Sequence, residues 1–145
     1  MICRAEEADL TAVATIEKTL FSMPWSKNGF LEALCNPSAC LWVYKQNETV
    51  LGYLCMYIYI DEAEITNVGV EKEAQGMGIG KELVATAVAY ARQEKLEKIV
   101  LEVRMSNASA IHVYETQGFQ ELGLRKGFYD QPKEDALIMA WTKDA

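Results

Sequence analysis

The sequence predicts an α/β domain: a mixed central sheet flanked by helices, with elements in the order βααβββαβαββ. Three observations carry this. Strand-like and helix-like apolar patterns alternate along all 145 residues with no linker and no internal repeat, as one domain spanning 1–145. A strand ending at Val70 runs through a glycine-bearing loop into a helix. Lys98-Ile99-Val100-Leu101-Glu102-Val103-Arg104 reads as a strand buried on both faces, hence central and parallel to a neighbour.

The elements follow in order. Ile2 to Arg4 is a short first strand. Leu10, Val13, Ala14, Ile16, Glu17 and Leu20 form a helical stripe from about Asp9 to Phe21. Ser22-Met23-Pro24-Trp25-Ser26 breaks it, and Ser26 caps a second helix carrying Phe30, Leu31 and Leu34 that ends at Asn36-Pro37-Ser38. Strands Cys40 to Lys45 and Val50 to Ile60 flank a polar turn, and Asp61-Glu62 leads into the Ala63–Val70 strand. A helix from Glu82 to Gln93 buries Leu83, Val84, Ala87, Val88 and Ala91. Ser106-Asn107 caps a last helix, Ala108 to Thr116, which stops at Gly118. Phe119 to Arg125 and Asp135 to Trp141 are two closing strands around a polar loop.

Composition narrows the function classes. No apolar run reaches the ~18 residues of a membrane span. The start, Met1 to Glu7, lacks the basic-then-apolar build of a secretory signal, so a cytoplasmic location is expected. The four cysteines include no C-x-x-C pair, which argues for reduced thiols and against a metal site. A net charge of −7 disfavours direct nucleic-acid binding and suits either a basic protein partner or an ordinary acidic surface. The oligomeric state, monomer or weak dimer, is left open.

Gln75-Gly76-Met77-Gly78-Ile79-Gly80-Lys81 is the loop around which the chain is organised. Its glycines allow positive φ and close backbone approach, and the N–H groups opening the next helix favour a phosphate. It is neither of two better-known phosphate loops: Gln75 and Glu82 stand where a Walker loop needs Gly and Ser/Thr, and Lys81 and Leu83 where a dinucleotide loop needs its third Gly. Glu102 is the other informative residue. A carboxylate within Ile-Val-Leu-Glu-Val is either paired with Lys98 or Arg104, or is a base set in a cleft. Asn107, Ile111, Tyr114 and Gly118 share one helical face, so Tyr114 either looks into that cleft or is a core aromatic. His112, the only histidine, falls on the opposite side of that helix and is set aside.

Leu101-Glu102-Val103-Arg104-x-Ser106-Asn107-x-x-Ala110, Tyr114-Glu115-x-x-Gly118-Phe119, Pro24-Trp25-Ser26 and Glu134-Asp135-Ala136-x-Ile138-Met139 resemble, in order, motifs of the GCN5-related N-acetyltransferases (GNAT). The likeness is to the bacterial subgroup that acetylates the N-terminal alanine of a ribosomal protein. The resemblance implies the GNAT fold and acetyl-CoA as cosubstrate, without a metal. It makes Glu102 the general base and Tyr114 the general acid. Val68, Gly69 and Val70 become the strand that pairs with the pantetheine arm, and Val68 N–H the oxyanion donor. Gln75, Gly76, Met77, Gly78, Ile79, Gly80 and Lys81 become the pyrophosphate loop, Asn107 a coenzyme contact, and Trp25 and Tyr129 the acceptor-peptide wall. The implied reaction is direct acetyl transfer, in one ternary complex, to the basic N-terminal peptide of a ribosomal protein. Two departures stand out. Gly76 and Met77 replace the usual Arg/Gly-type and polar residues, and Phe128-Tyr129 replaces paired tyrosines. A lysine side chain, a polyamine or another small amine is the alternative acceptor, and a non-catalytic CoA-binding module the alternative class.

Overall fold

The computed structural model describes residues 1–144. The elements are β1 (Ile2–Arg4), α1 (Leu10–Leu20), α2 (Lys27–Cys35), β2 (Ala39–Gln46), β3 (Thr49–Tyr59), β4 (Glu62–Val70), α3 (Ile79–Gln93), β5 (Lys98–Arg104), α4 (Ala108–Thr116), β6 (Gln120–Tyr129) and β7 (Glu134–Thr142). The seven strands form one mixed sheet in the order β1-β2-β3-β4-β5-β7-β6. Neighbours are antiparallel except β4 and β5, whose crossover through α3 makes them parallel.

Two apolar layers cover the sheet. Leu10, Val13 and Ile16 of α1 and Phe30 and Ala33 of α2 bury Leu41, Val43, Tyr53 and Cys55 of β2 and β3. On the other face, Ile79, Leu83, Val84, Ala87 and Ala91 of α3, with Tyr114 of α4, cover Leu54, Ile65, Leu101, Val103, Leu137 and Trp141. The first layer stops before β5. Strand β5 is therefore buried on one face only, correcting the expectation of two: Ile99, Leu101 and Val103 are buried, while Lys98, Val100, Glu102 and Arg104 are partly exposed. It is central and parallel to β4 as expected, but antiparallel to β7.

Local chemistry sets the element ends. The Ser26 side chain accepts from Gly29 N–H at 3.3 Å and opens α2. Asn107 Oδ1 accepts from Ala110 N–H at 3.2 Å and opens α4. That helix closes at Gly118, φ 93°, whose N–H donates to Glu115 O while Phe119 N–H donates back to Tyr114 O. The helix after the glycine loop begins at Ile79 rather than Glu82, because Gly78 takes φ 84° as its cap and Ile79 already belongs to the core. No helix among the described residues is long and apolar enough to cross a membrane.

Candidate active site

The site begins where β4 and β5 part. Their pairing covers only Glu62↔Lys98, Ala63↔Ile99 and Glu64↔Val100, although both strands run on to Val70 and Arg104. Beyond that point β4 pairs only with β3, and β5 only with β7. Two facing strand edges thus hold backbone N–H and C=O groups free for another extended molecule. A bulge accompanies the parting: Cys55 pairs with Asn67 and Met56 with Ile65, leaving Thr66 as the extra residue. It switches the alternation of side chains, so that Val68 joins Ile65 against the α3 layer while Asn67 turns towards α1.

The glycine loop lies at the end of the parted β4. Gly76 and Gly78 have φ 83° and 84°, and a Cβ on either would meet nothing within 4 Å, so the backbone faces open space. No side chain caps α3, which leaves the N–H groups of its first turn available. Gly80 is different: it lies inside the helix, and its Cβ would be in ordinary contact with Val70 at 3.7 Å. Gln75 is exposed, and its Nε2 donates to Val70 O at 3.1 Å, tying loop to strand. Ile79 is 2% exposed, so only its backbone can serve a ligand, whereas Met77 and Lys81 are exposed. These donors and the open space in front of them fit a pyrophosphate group, and the free strand edges fit an extended amide-bearing arm. Asn107 uses its Oδ1 in the α4 cap.

Glu102 stands on the uncovered face in a cleft of about 460 Å³, lined also by Tyr59, Glu62, Glu64, Arg125 and Ile138. Its ionic partner is Arg125, Nη1 lying 3.2 Å from Oε2, and neither Lys98 nor Arg104. The reason is the strand order: Arg125 of β6 reaches diagonally over β7 past the small Ala136, with which it is in register. The pair is out of hydrogen-bond alignment, so Oε2 accepts no hydrogen bond. Burial, then the Glu102 charge, hold the Glu64 carboxyl above its ordinary range against the opposing pull of Arg125. Arg104 is occupied elsewhere, donating to Glu134 Oε1, Pro132 O, Asp130 O and Ser22 Oγ and lying 4.4 Å from the Tyr129 ring centre. It clasps the α1–α2 loop to the β6–β7 loop.

Tyr114 lies on the α3–α4 face, 5% exposed and 5.8 Å from the Phe119 ring. It does not line the Glu102 cleft. Tyr129 bears on both: Glu102 helps push its phenol up to about 12, after burial, and Tyr129 in turn adds to the burial that raises Tyr114. Glu102 and Tyr114 thus lie on opposite faces of the sheet. His112 is exposed.

A second groove, about 450 Å³, adjoins the cleft at Tyr59 and is lined by Trp25, Ser26, Gly29, Glu32, Tyr57 and Thr66. Trp25 meets Tyr57 edge-on at 6.5 Å, and Tyr57 stacks with Tyr59. Tyr57, Tyr59, Glu64 and Arg125 escaped the sequence reading. For the first three, period-two alternation was the signal: Tyr57 faces Glu64 and Tyr59 faces Glu62 across β3 and β4, on the face that holds Glu102, whereas nothing local signals Arg125. Among the described residues no group of three or more His, Cys, Asp or Glu side chains could hold a metal ion.

Known proteins share this architecture. The profile of the acetyltransferase (GNAT) family matches residues 10–119. A Bacillus subtilis (strain 168) protein, named provisionally as a [ribosomal protein bS18]-alanine N-acetyltransferase, is 37% identical over 132 residues, covering 90% of this chain and 87% of its own. The Escherichia coli (strain K12) [ribosomal protein bS18]-alanine N-acetyltransferase is 32% identical over 145 residues, 96% of this chain and 95% of that one. The crystal structure of the ribosomal-protein-S18-alanine N-acetyltransferase from Escherichia coli superposes with a TM-score of 0.90 at 30% identity, covering 98% of this chain and 92% of that chain.

Proposed function

The chain belongs to the acetyltransferase (GNAT) family, acyltransferases that draw on acetyl-CoA, and from that premise we propose that it acetylates the N-terminal α-amine of a ribosomal protein beginning with alanine, in one ternary complex. The observation that carries the reading is the parting of β4 from β5 with Glu102 beside it. The activity in the names of the Bacillus subtilis and Escherichia coli relatives supports this acceptor. The net charge of −7 complements a basic one.

In this reading the whole chain acts as one GNAT domain. The N–H groups of Gly76 to Lys81 hold the pyrophosphate, and the free edge of Val68 to Val70 holds the pantetheine arm. Asn107 supplies a side-chain contact. Acetyl-CoA supplies the acetyl group as an activated thioester. The acceptor peptide lies along the groove of Trp25, Tyr57 and Tyr59, with Tyr129 closing its far side. An α-amine has a pKa near ~8, so Glu102 completes a deprotonation that is already within reach at neutral pH. The entering ammonium competes with the exposed Arg125 for that carboxylate. Val68 N–H donates to the carbonyl oxygen as charge develops there. Tyr114 protonates the departing thiolate. Desolvation raises the thiol as it raises the phenol, which keeps the two acidities comparable.

The test is a pH–rate profile with an Ala-initiated peptide. Glu102→Gln lowers kcat/KM by ~10²–10⁴ near neutrality and recovers part of it as pH rises towards the amine pKa. A profile parallel to wild type and within a few-fold of its rate returns Glu102 to a purely ionic role with Arg125.

A further inference from the structure

Of the three buried polar side chains that the transfer chemistry leaves unused, Asp9, Glu17 and Asn67, the most deeply buried is Glu17. It sits in the last turn of α1, 3% exposed, within the apolar layer that α1 and α2 make on β3. Among the described residues no cationic side chain forms an ion pair with it. Its oxygens are filled by three donors instead: Tyr53 hydroxyl at 2.6 Å on Oε1, and Asn67 Nδ2 and Trp25 N–H, each at 3.0 Å, on Oε2. A carboxylate without a counter-charge is expensive to bury, and a leucine would fill the same layer.

What the three donors belong to explains the placement. Asn67 stands between Thr66, the bulged residue, and Val68. It is 8% exposed and its Oδ1 has no partner, so Glu17 alone fixes which way the amide points; flipped, it would set two oxygens together. Gly69 follows Val68, and a Cβ there would stand 2.5 Å from the Tyr53 hydroxyl. The Glu17 cluster therefore grips β4 on both sides of Val68, by a hydrogen bond at Asn67 and by ring contact at Gly69. The third donor is the backbone of Trp25, on the wall of the acceptor groove.

We propose that Glu17 is a positioning residue for the transfer: through Asn67 and Tyr53 it aims the Val68 amide at the acetyl carbonyl, and through Trp25 it locks the acceptor groove to that donor. The inference rests on the acetyl-transfer reading above.

The experiment uses acetyl-CoA labelled with ¹³C at the acetyl carbonyl. Bound to the wild type, its infrared carbonyl band shifts from the free-solution position, reporting the Val68 hydrogen bond. Glu17→Gln places a donor where an acceptor was, and moves the band back towards free solution. It lowers kcat and raises the KM of an Ala-initiated peptide, each by about tenfold, less than the loss of a whole oxyanion donor. Affinity for CoA, set by the glycine loop, stays within about twofold. Asn67→Ala keeps the carboxylate and its other two donors; it gives the same band shift with a peptide KM near wild type, and serves if the first variant does not fold. A shifted wild-type band that neither variant changes, with only Tm lowered, makes Glu17 a fold residue and overturns this inference alone. A wild-type band already at the free-solution position overturns the transfer reading together with it.

Discussion

A phenol can return a proton to a thiolate only if it still holds that proton when the thiolate forms. Burial, helped by Tyr129, keeps Tyr114 protonated far above neutrality. Tyr114→Phe should therefore lower kcat with a deficit that persists at high pH and shrinks for a CoA analogue with a more acidic thiol; full activity would return Tyr114 to the core beside Phe119. The same shifts govern stability in alkali. Tyr53 is raised by burial and then by the Glu17 charge, Tyr114 by burial, and Tyr129 is pushed up to about 12 by burial and then Glu102. Each keeps its proton in the fold at a pH where the unfolded chain, near ~10, has lost it. Unfolding then releases protons, so this stability is fully present below pH ~10 and is lost as pH rises through the folded values. Thermal melts from pH 9 to 12 should show Tm falling along this range, less steeply in Tyr53→Phe. A flat Tm over that range contradicts the assignment.

At the scale of elements, the glycine loop separates backbone strain from ligand approach. Gly78 caps α3 at φ 84°, a conformation that costs a β-carbon-bearing residue roughly 1–2 kcal/mol. Gly78→Val should lower Tm and weaken acetyl-CoA binding, measured by calorimetry. Gly80→Ala puts a methyl group inside a helix in ordinary contact with Val70, so the fold should hold or gain up to ~1 kcal/mol. An affinity loss in Gly80→Ala then reads the pyrophosphate itself. Unchanged affinity in Gly78→Val would remove the loop from the cofactor site. The strand, loop and helix were all legible in the sequence, but the role of each glycine was not: Ile79 extends the Leu83, Ala87 and Ala91 stripe back into the loop, yet apolar periodicity does not say which glycine takes a positive φ and which lies inside the helix. Alternation likewise misled at β5. Val100 looked buried because it is apolar, and only the extent of α1 and α2 decides that its face is open.

Across the whole molecule, the site is made by strand order, which no local pattern encodes. Glu102 and Tyr114 were legible as types at positions. Arg125 as the partner of Glu102 was not, because β6 reaches β5 only across β7. Nor was Glu17, whose place in the apolar stripe of α1 hides donors that arrive from β3, β4 and the next loop. In the proposed reading, the parting of β4 and β5 joins a CoA side to an acceptor side. In that reading Arg104, which clasps Ser22 to Asp130, closes the acceptor side. Arg104→Leu should release that clasp and raise the KM of an Ala-initiated peptide several-fold while leaving CoA affinity in place; equal loss of both would show a general collapse of the site. The central claim is α-amine acetylation, and mass spectrometry tests it most directly. An Ala-initiated peptide with an internal lysine is incubated with acetyl-CoA and the enzyme, and the fragments locate the added acetyl group. The account predicts one acetyl on the N-terminal alanine and little or none on the lysine. Acetyl-lysine as the main product, or spermidine consumed faster than the peptide, would contradict it.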